Sequence, residues 1–192
     1  MDPLLLGTAS AFGLAAASGL NATLPLLIVG MLARIGLLTL AAPFDALASD
    51  IALGGLAVLA VGEIAADKIP GADSVVQVIQ TPLTLGAGAI LFASQNSMIE
   101  SLSPGLAILV GLLTAGGIHT LRALARPVIN VATMGVGGPV ASIVEDIGAV
   151  GLTLLALLAP ILAVVGLVVL VALGGRLAAR RLVQRRRIAA LS

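Results

Sequence analysis

Residues Ile147 to Gly175 read IGAVGLTLLALLAPILAVVGLVVLVALGG, with no ionisable side chain anywhere in the run. One helical crossing of a bilayer core about 30 Å thick takes about 20 apolar residues. The apolar stretch that contains this run extends from Gly138 to about Arg180 and is too long for one crossing. Pro160 divides it into two near-equal parts, and proline inside a helix removes a hydrogen bond and kinks or breaks it. The rest of the chain has the same character. It is 59% apolar and 10% charged, with a mean hydropathy of +1.19, whereas soluble domains carry about 25% charged residues. The expectation is an all-α, polytopic transmembrane helix bundle.

Working outward from that run, the 192 residues have room for six to seven membrane segments, some broken or re-entrant. Breaks in apolar character place them at Leu4 to Ser18, Pro25 to Ala42, Ser49 to Ala66, Ser74 to Ser94, Pro104 to Ala125, and on either side of Pro160. The first is short and rich in Ala, Gly and Ser, and it ends at Gly19-Leu20-Asn21-Ala22-Thr23-Leu24-Pro25. That suits a re-entrant or broken helix as well as a short tilted one. Arg34, inside the second segment, reads as a side chain snorkelling to an interface. Pro82 predicts a kink or split in the fourth. No hydrophilic stretch is long enough to fold separately. Residues 1–180 therefore read as a single transmembrane domain, and 181–192 as a basic cytoplasmic tail.

Charge sets the orientation. Arg176, Arg180, Arg181, Arg185, Arg186 and Arg187 supply six of the ten Lys and Arg side chains, and basic flanks stay in the cytoplasm. Arg122 and Arg126 end the fifth segment, so two crossings must separate them from the tail, as a hinge at Pro160 provides. Walking backwards puts Glu100, Asp45 and Asp50 outside and Asp67 to Asp73 inside. The expected setting is a bacterial inner membrane, crossed several times, with a cytoplasmic C-terminus. Met1-Asp2-Pro3 has no basic region and does not read as a cleaved signal peptide.

In this topology the cytoplasmic ends of several segments share polar residues: Asn21, Glu63, Asp67, Lys68, Asp73, His119, Arg122, Arg126, Asn130, Ser142, Glu145 and Asp146. Glu63 and Asp67 are four apart, on one helical face. His119, Arg122 and Arg126 follow at three and four, and Ser142 and Asp146 at four. Ionisable groups at membrane depth are costly unless paired or hydrated, and they face a bundle interior or cavity. The spacing predicts that Glu63 and Asp67 meet Arg122 or His119 across the bundle. The twelve residues form a candidate substrate or ion site, and the competing reading is charges that pair only to lock helices together.

The strings Glu63-x-x-x-Asp67-Lys68-Ile69-Pro70-Gly71-x-Asp73-Ser74, His119 with Arg122 and Arg126, and Ser142-x-x-Glu145-Asp146 closely resemble a family of small bacterial integral membrane proteins known as a domain of unknown function. The resemblance covers most of the chain. It implies an inner-membrane setting and no particular activity. The Glu63 run is also similar to the Glu-x-Gly-Asp-Lys motif of divalent-cation exchangers, but its spacing is longer and it has no second copy.

Function classes narrow by elimination. There are no cysteines, so disulfides and thiolate chemistry are excluded, and the single histidine speaks against a His-based metal centre. No Gly-x-Ser-x-Gly, phosphate loop or metal cluster is present, and neither enzyme activity nor a cofactor is expected. The leading expectation is a transporter-like protein moving a small polar, anionic or ion-coupled substrate through a charged cavity on the cytoplasmic side. The alternative is a non-catalytic scaffold or assembly protein. Expected partners are membrane lipid, a small solute or ion and further copies of the chain, with no nucleic acid.

Overall fold

The computed structural model describes residues 3–66, 73–95, 102–133, 137–163, 165–166, 168–169, 171–173 and 176. Among them the chain is helical with no strand: α1 (Pro3–Leu20), α2 (Thr23–Arg34), a 3-10 turn (Phe44–Ala48), α3 (Asp50–Ala66), α4 (Asp73–Ser94), α5 (Pro104–Ala132) and α6 (Gly137–Leu158).

The first segment, rich in Ala, Gly and Ser, is the centre of the fold. α1 packs against α4, α5 and α6 and buries Ala11, Leu14, Ala15, Ala16, Ala17 and Ser18. Its small side chains let three neighbours approach at once. A Cβ on Gly13 would stand 2.7 Å from the Cβ of Ala156. Another on Gly19 would stand 2.5 Å from the Cβ of Ile118. The 18 residues of α1 span about 27 Å. Of the two readings of the first segment, the structure has the continuous helix, and the break follows it at Asn21.

The second expected segment is corrected. It ends at Arg34 rather than Ala42, because Gly36 takes φ +76° and closes the helix with two bonds. The Gly36 amide donates to Ala33 O at 3.1 Å and the Leu37 amide to Leu32 O at 3.0 Å, the Schellman pattern. Twelve residues give about 18 Å, too short to cross. α5 differs the other way. It starts behind the Ser103 cap, whose Oγ accepts from the Leu106 amide at 3.4 Å. It then runs through Pro127 to Ala132, so Arg126 lies inside a helix and not at its end.

Pro160 turns the chain back. The Ala159 amide donates to Leu155 O at 2.8 Å, ending α6, and Ala159 O accepts from the Ala163 amide at 3.2 Å, starting the next helical segment. Pro160 is then the first residue of that segment, where its missing N–H costs nothing. The Gly13 Cβ position lies 2.7 Å from Ala156 Cβ and 3.1 Å from Ala163 Cβ. Seven residues of straight helix would hold those alanines about 10 Å apart, farther than the two distances together allow. Ser10 Oγ donates to Ala156 O at 2.8 Å, satisfying the carbonyl that residue 160 would bond in an unbroken helix.

Two described stretches, Pro104–Ile129 and Gly137–Leu158, are long and apolar enough to cross a membrane, with 28% and 22% of their apolar windows buried. α3 is peripheral. It rests on α2 and the 3-10 turn and exposes Ile51, Val58 and Val61. Arg34 pairs with its first residue, Asp50, at 2.7 Å on an exposed edge.

Candidate functional site

The site is built around the interruption between α1 and α2. Asn21 ends one helix and starts the next. Its amide donates to Ala17 O at 3.2 Å. Its Oδ1 accepts from the amides of Thr23 at 3.0 Å and Leu24 at 2.9 Å, which is N-capping geometry. An Asn two residues before Thr and four before Pro is a legible start signal for α2. The residue is 2% exposed, so the break lies inside the protein.

Each end of the interruption receives a charge of the sign its dipole favours. At the carbonyl end of α1, Arg122 Nη1 donates to Leu20 O at 2.7 Å. At the amide end of α2, the Glu63 carboxylate accepts from the backbone amides of Ala22 and Thr23, both at 3.3 Å, and from Thr23 Oγ1 at 2.6 Å. Glu63 comes from α3 and Arg122 from α5, so two further elements converge on residues 20–23.

Behind them the two arginines share one acid. Arg122 Nε and Arg126 Nη2 each stand 2.7 Å from Glu145 Oε2 on α6. Both arginines are buried, and the side chain of Glu145 is 15% exposed. Next to Glu145, Asp146 Oδ1 accepts from Asn21 Nδ2 at 2.9 Å, and Ser142 is buried one turn earlier on α6. The polar groups thus run without interruption from Glu63 through Thr23 and Asn21 to Asp146.

His119 shares the face of Arg122 but turns toward α4, where its Nε2 lies 3.1 Å from Thr81 Oγ1. Among the described residues, the buried His119 Nδ1 and Thr84 Oγ1 have no hydrogen-bond partner, a cost of about 1–3 kcal/mol each. The α4–α5 interface therefore holds a polar layer that apolar packing alone would not select.

Of the predicted residues, Asn21, Glu63, Arg122, Arg126, Glu145 and Asp146 come together, with Ser142 beside them and His119 one turn away. The predicted meeting of Glu63 with Arg122 or His119 is corrected. The described partners of Glu63 are Thr23 and the first amides of α2, because α3 packs on α2 and not on α5. Asp67 and Lys68 lie outside the described residues, and so do the side chains of Asp73 and Asn130, which belong to α4 and α5. The Leu20 carbonyl, Thr81 and Thr84 were not foreseen; the threonines carry no signal beyond polarity in an apolar run. No group of three His, Cys, Asp or Glu among the described residues could hold a metal ion.

A family model described as a domain of unknown function (DUF4126) matches residues 8–180. No curated protein and no solved structure matches the chain.

Proposed function

The chain belongs to the family DUF4126, and on that premise we propose that it is a multi-pass bacterial inner-membrane protein that transports a small polar, anionic or ion-coupled substrate. The observation that carries the reading is the interruption at Asn21, buried in the fold and flanked by Arg122 and Glu63. Transporters place such discontinuous helices at their binding sites, because the freed amides and carbonyls of half-helices bind ions and polar groups. A break that served only packing would more simply be closed by a continuous helix.

The membrane setting draws support from the exterior. Leu113, Val131, Ile147 and Leu158 are all more than half exposed, on helices of spanning length. Water-soluble monomers rarely carry contiguous apolar patches above a few hundred Å². With the arginines inside, the C-terminus is cytoplasmic and the charged cluster opens toward the cytoplasm. A C-terminal fusion to a reporter active only in the periplasm should stay silent, and an active fusion overturns the orientation.

In this reading Glu63 is the exchangeable carboxylate on the α2 amides, and the Arg122–Glu145–Arg126 group fixes the other wall. The test is uptake of small anions, inorganic phosphate first, into proteoliposomes under an imposed pH gradient. Wild type should accumulate a solute. Glu63→Gln, which keeps the shape, should stay folded and lose uptake. The scaffold alternative predicts no uptake by wild type, and loss of stability or assembly in the variant.

A further inference from the structure

α4 and α5 run antiparallel, and their contact changes character along its length. Toward the start of α5 it is closed. A Cβ on Gly111 would stand 2.6 Å from Phe92 Cβ, and one on Gly116 would stand 2.9 Å from Leu85 Cδ2, distances that leave no room for solvent. One turn further along, the facing surfaces are polar. Gln80, Thr81 and Thr84 share a face of α4 at spacings of three and four, and His119 meets them from α5. Gln80, Thr84 and His119 are buried.

Two atoms of this layer lack partners among the described residues. His119 Nε2 lies 3.1 Å from Thr81 Oγ1, which occupies one side of the ring, while Nδ1 is unpartnered. So is Thr84 Oγ1, on a residue that is 0% exposed. A threonine within a helix can return its hydroxyl to the carbonyl one turn back. Thr114, Thr120, Thr133 and Thr153 all do so, at 2.6–2.8 Å. Thr84 does not, and its hydroxyl is left for another partner.

Both atoms lie at one level of the interface. Gly116 meets Leu85, so in an antiparallel pair His119, three residues on, stands level with Pro82, between Thr81 and Thr84. Each Cα–Cβ bond tilts toward the start of its own helix. That tilt carries the Thr84 hydroxyl toward His119. It also carries the root of the imidazole, where Nδ1 sits, toward Thr84.

We propose that a water molecule is bound inside the α4–α5 interface, bridging His119 Nδ1 and Thr84 Oγ1. Buried polar atoms are satisfied by protein groups or by ordered water, and apolar packing serves neither of these two. Water fits both. A hydroxyl donates and accepts, while the nitrogens of a neutral imidazole divide those roles between them, and water supplies whichever is needed. A cation in the same place is opposed by the guanidinium of Arg122, one turn along the face of His119. With Thr81 on Nε2 and water on Nδ1, the ring is fixed from both sides. His119 is thus a hydrated group in an interface whose other end is closed.

The proposal rests on the packing of α4 against α5 and not on transport, so it is tested separately from uptake. The chain has one histidine, so labelling histidine gives ring signals from His119 alone. In the full-length protein in detergent micelles, nuclear magnetic resonance measures magnetisation transfer from water to the ring proton Hε1, which lies between the two nitrogens. Wild type should show a water cross-peak. Thr84→Val, which exchanges the hydroxyl for a methyl group, should lose it, and Thr84→Ser should keep it. Thr114→Val, which removes a hydroxyl already bonded to Val110 O, should leave it unchanged. Absence of the cross-peak in folded wild type overturns the proposal without recourse to any variant. A cross-peak that survives Thr84→Val also overturns it, and loss of that peak in Thr81→Val would trace it to the Thr81 hydroxyl.

Discussion

Glu63 and Thr23, forty residues apart, are joined at the α1–α2 break by a short hydrogen bond, Thr23 Oγ1 donating to Glu63 Oε2 across 2.6 Å. That contact ties the peripheral α3 to the core of the site. It predicts that Thr23→Val weakens what Glu63 does while leaving the two backbone donors in place. Uptake should fall severalfold, with a stability loss of about 1–2 kcal/mol in thermal unfolding in detergent. Unchanged uptake would show that the hydroxyl only caps a helix.

Glu145 pairs with two buried guanidiniums at once. Glu145→Gln should lower stability by about 3–5 kcal/mol, the usual result of leaving buried charge uncompensated. Pairing it with Arg126→Gln should recover part of that loss. Denaturation of both variants, set against Arg126→Gln alone, gives the coupling, and strict additivity would mean that the pair is not interacting.

The turn at Pro160 makes a geometric prediction. The chain has no native cysteine, so engineered pairs report cleanly. Gly13→Cys should form a disulfide with Ala156→Cys and, separately, with Ala163→Cys, since disulfides need Cβ atoms about 4 Å apart. One straight helix could present only one of those alanines to Gly13, so success of a single pair would remove the turn.

α4 and α5 meet almost backbone to backbone. A Cβ on Gly111 would collide with the carbonyl oxygen of Gly88 and stand 2.6 Å from Phe92 Cβ. Gly111→Val should force the helices apart and cost about 3 kcal/mol or more. Gly117→Ala on the same helix, where a Cβ meets nothing within 4 Å, should be neutral or slightly stabilising. Melting temperatures of the two variants separate close packing from general intolerance of larger residues.

The sequence made some of this plain and hid the rest for physical reasons. Helical class, the bounds of α3 and the division at Pro160 all follow from apolar runs and their breakers, which act locally. The shortened α2 was also local, written in Gly36, yet hydropathy over Pro25 to Ala42 masks a glycine that only backbone sign reveals. The role of α1 was illegible because hydropathy measures transfer into lipid, whereas a central helix is selected for small size. The polar residues on α1, α5 and α6 were recognised as a group because their spacing puts each set on one face. Their partners were not, since which acid meets which base depends on helix order around α1, and Glu63 faced α2 for that reason.

The residues that close α1 at Gly13 are Ala156 and Ala163, supplied from more than 140 positions later in the chain. The face of α1 at Gly13 is thus enclosed by residues far along the chain, while its other faces meet α4 and α5. Throughout synthesis that face of α1, with the Ser10 hydroxyl that will later meet Ala156 O, stands open to whatever surrounds the nascent chain. Helix formation and closure of this face are therefore separate events for this chain. This face of α1 is complete only when the turn at Pro160 brings Ala163 beside Gly13.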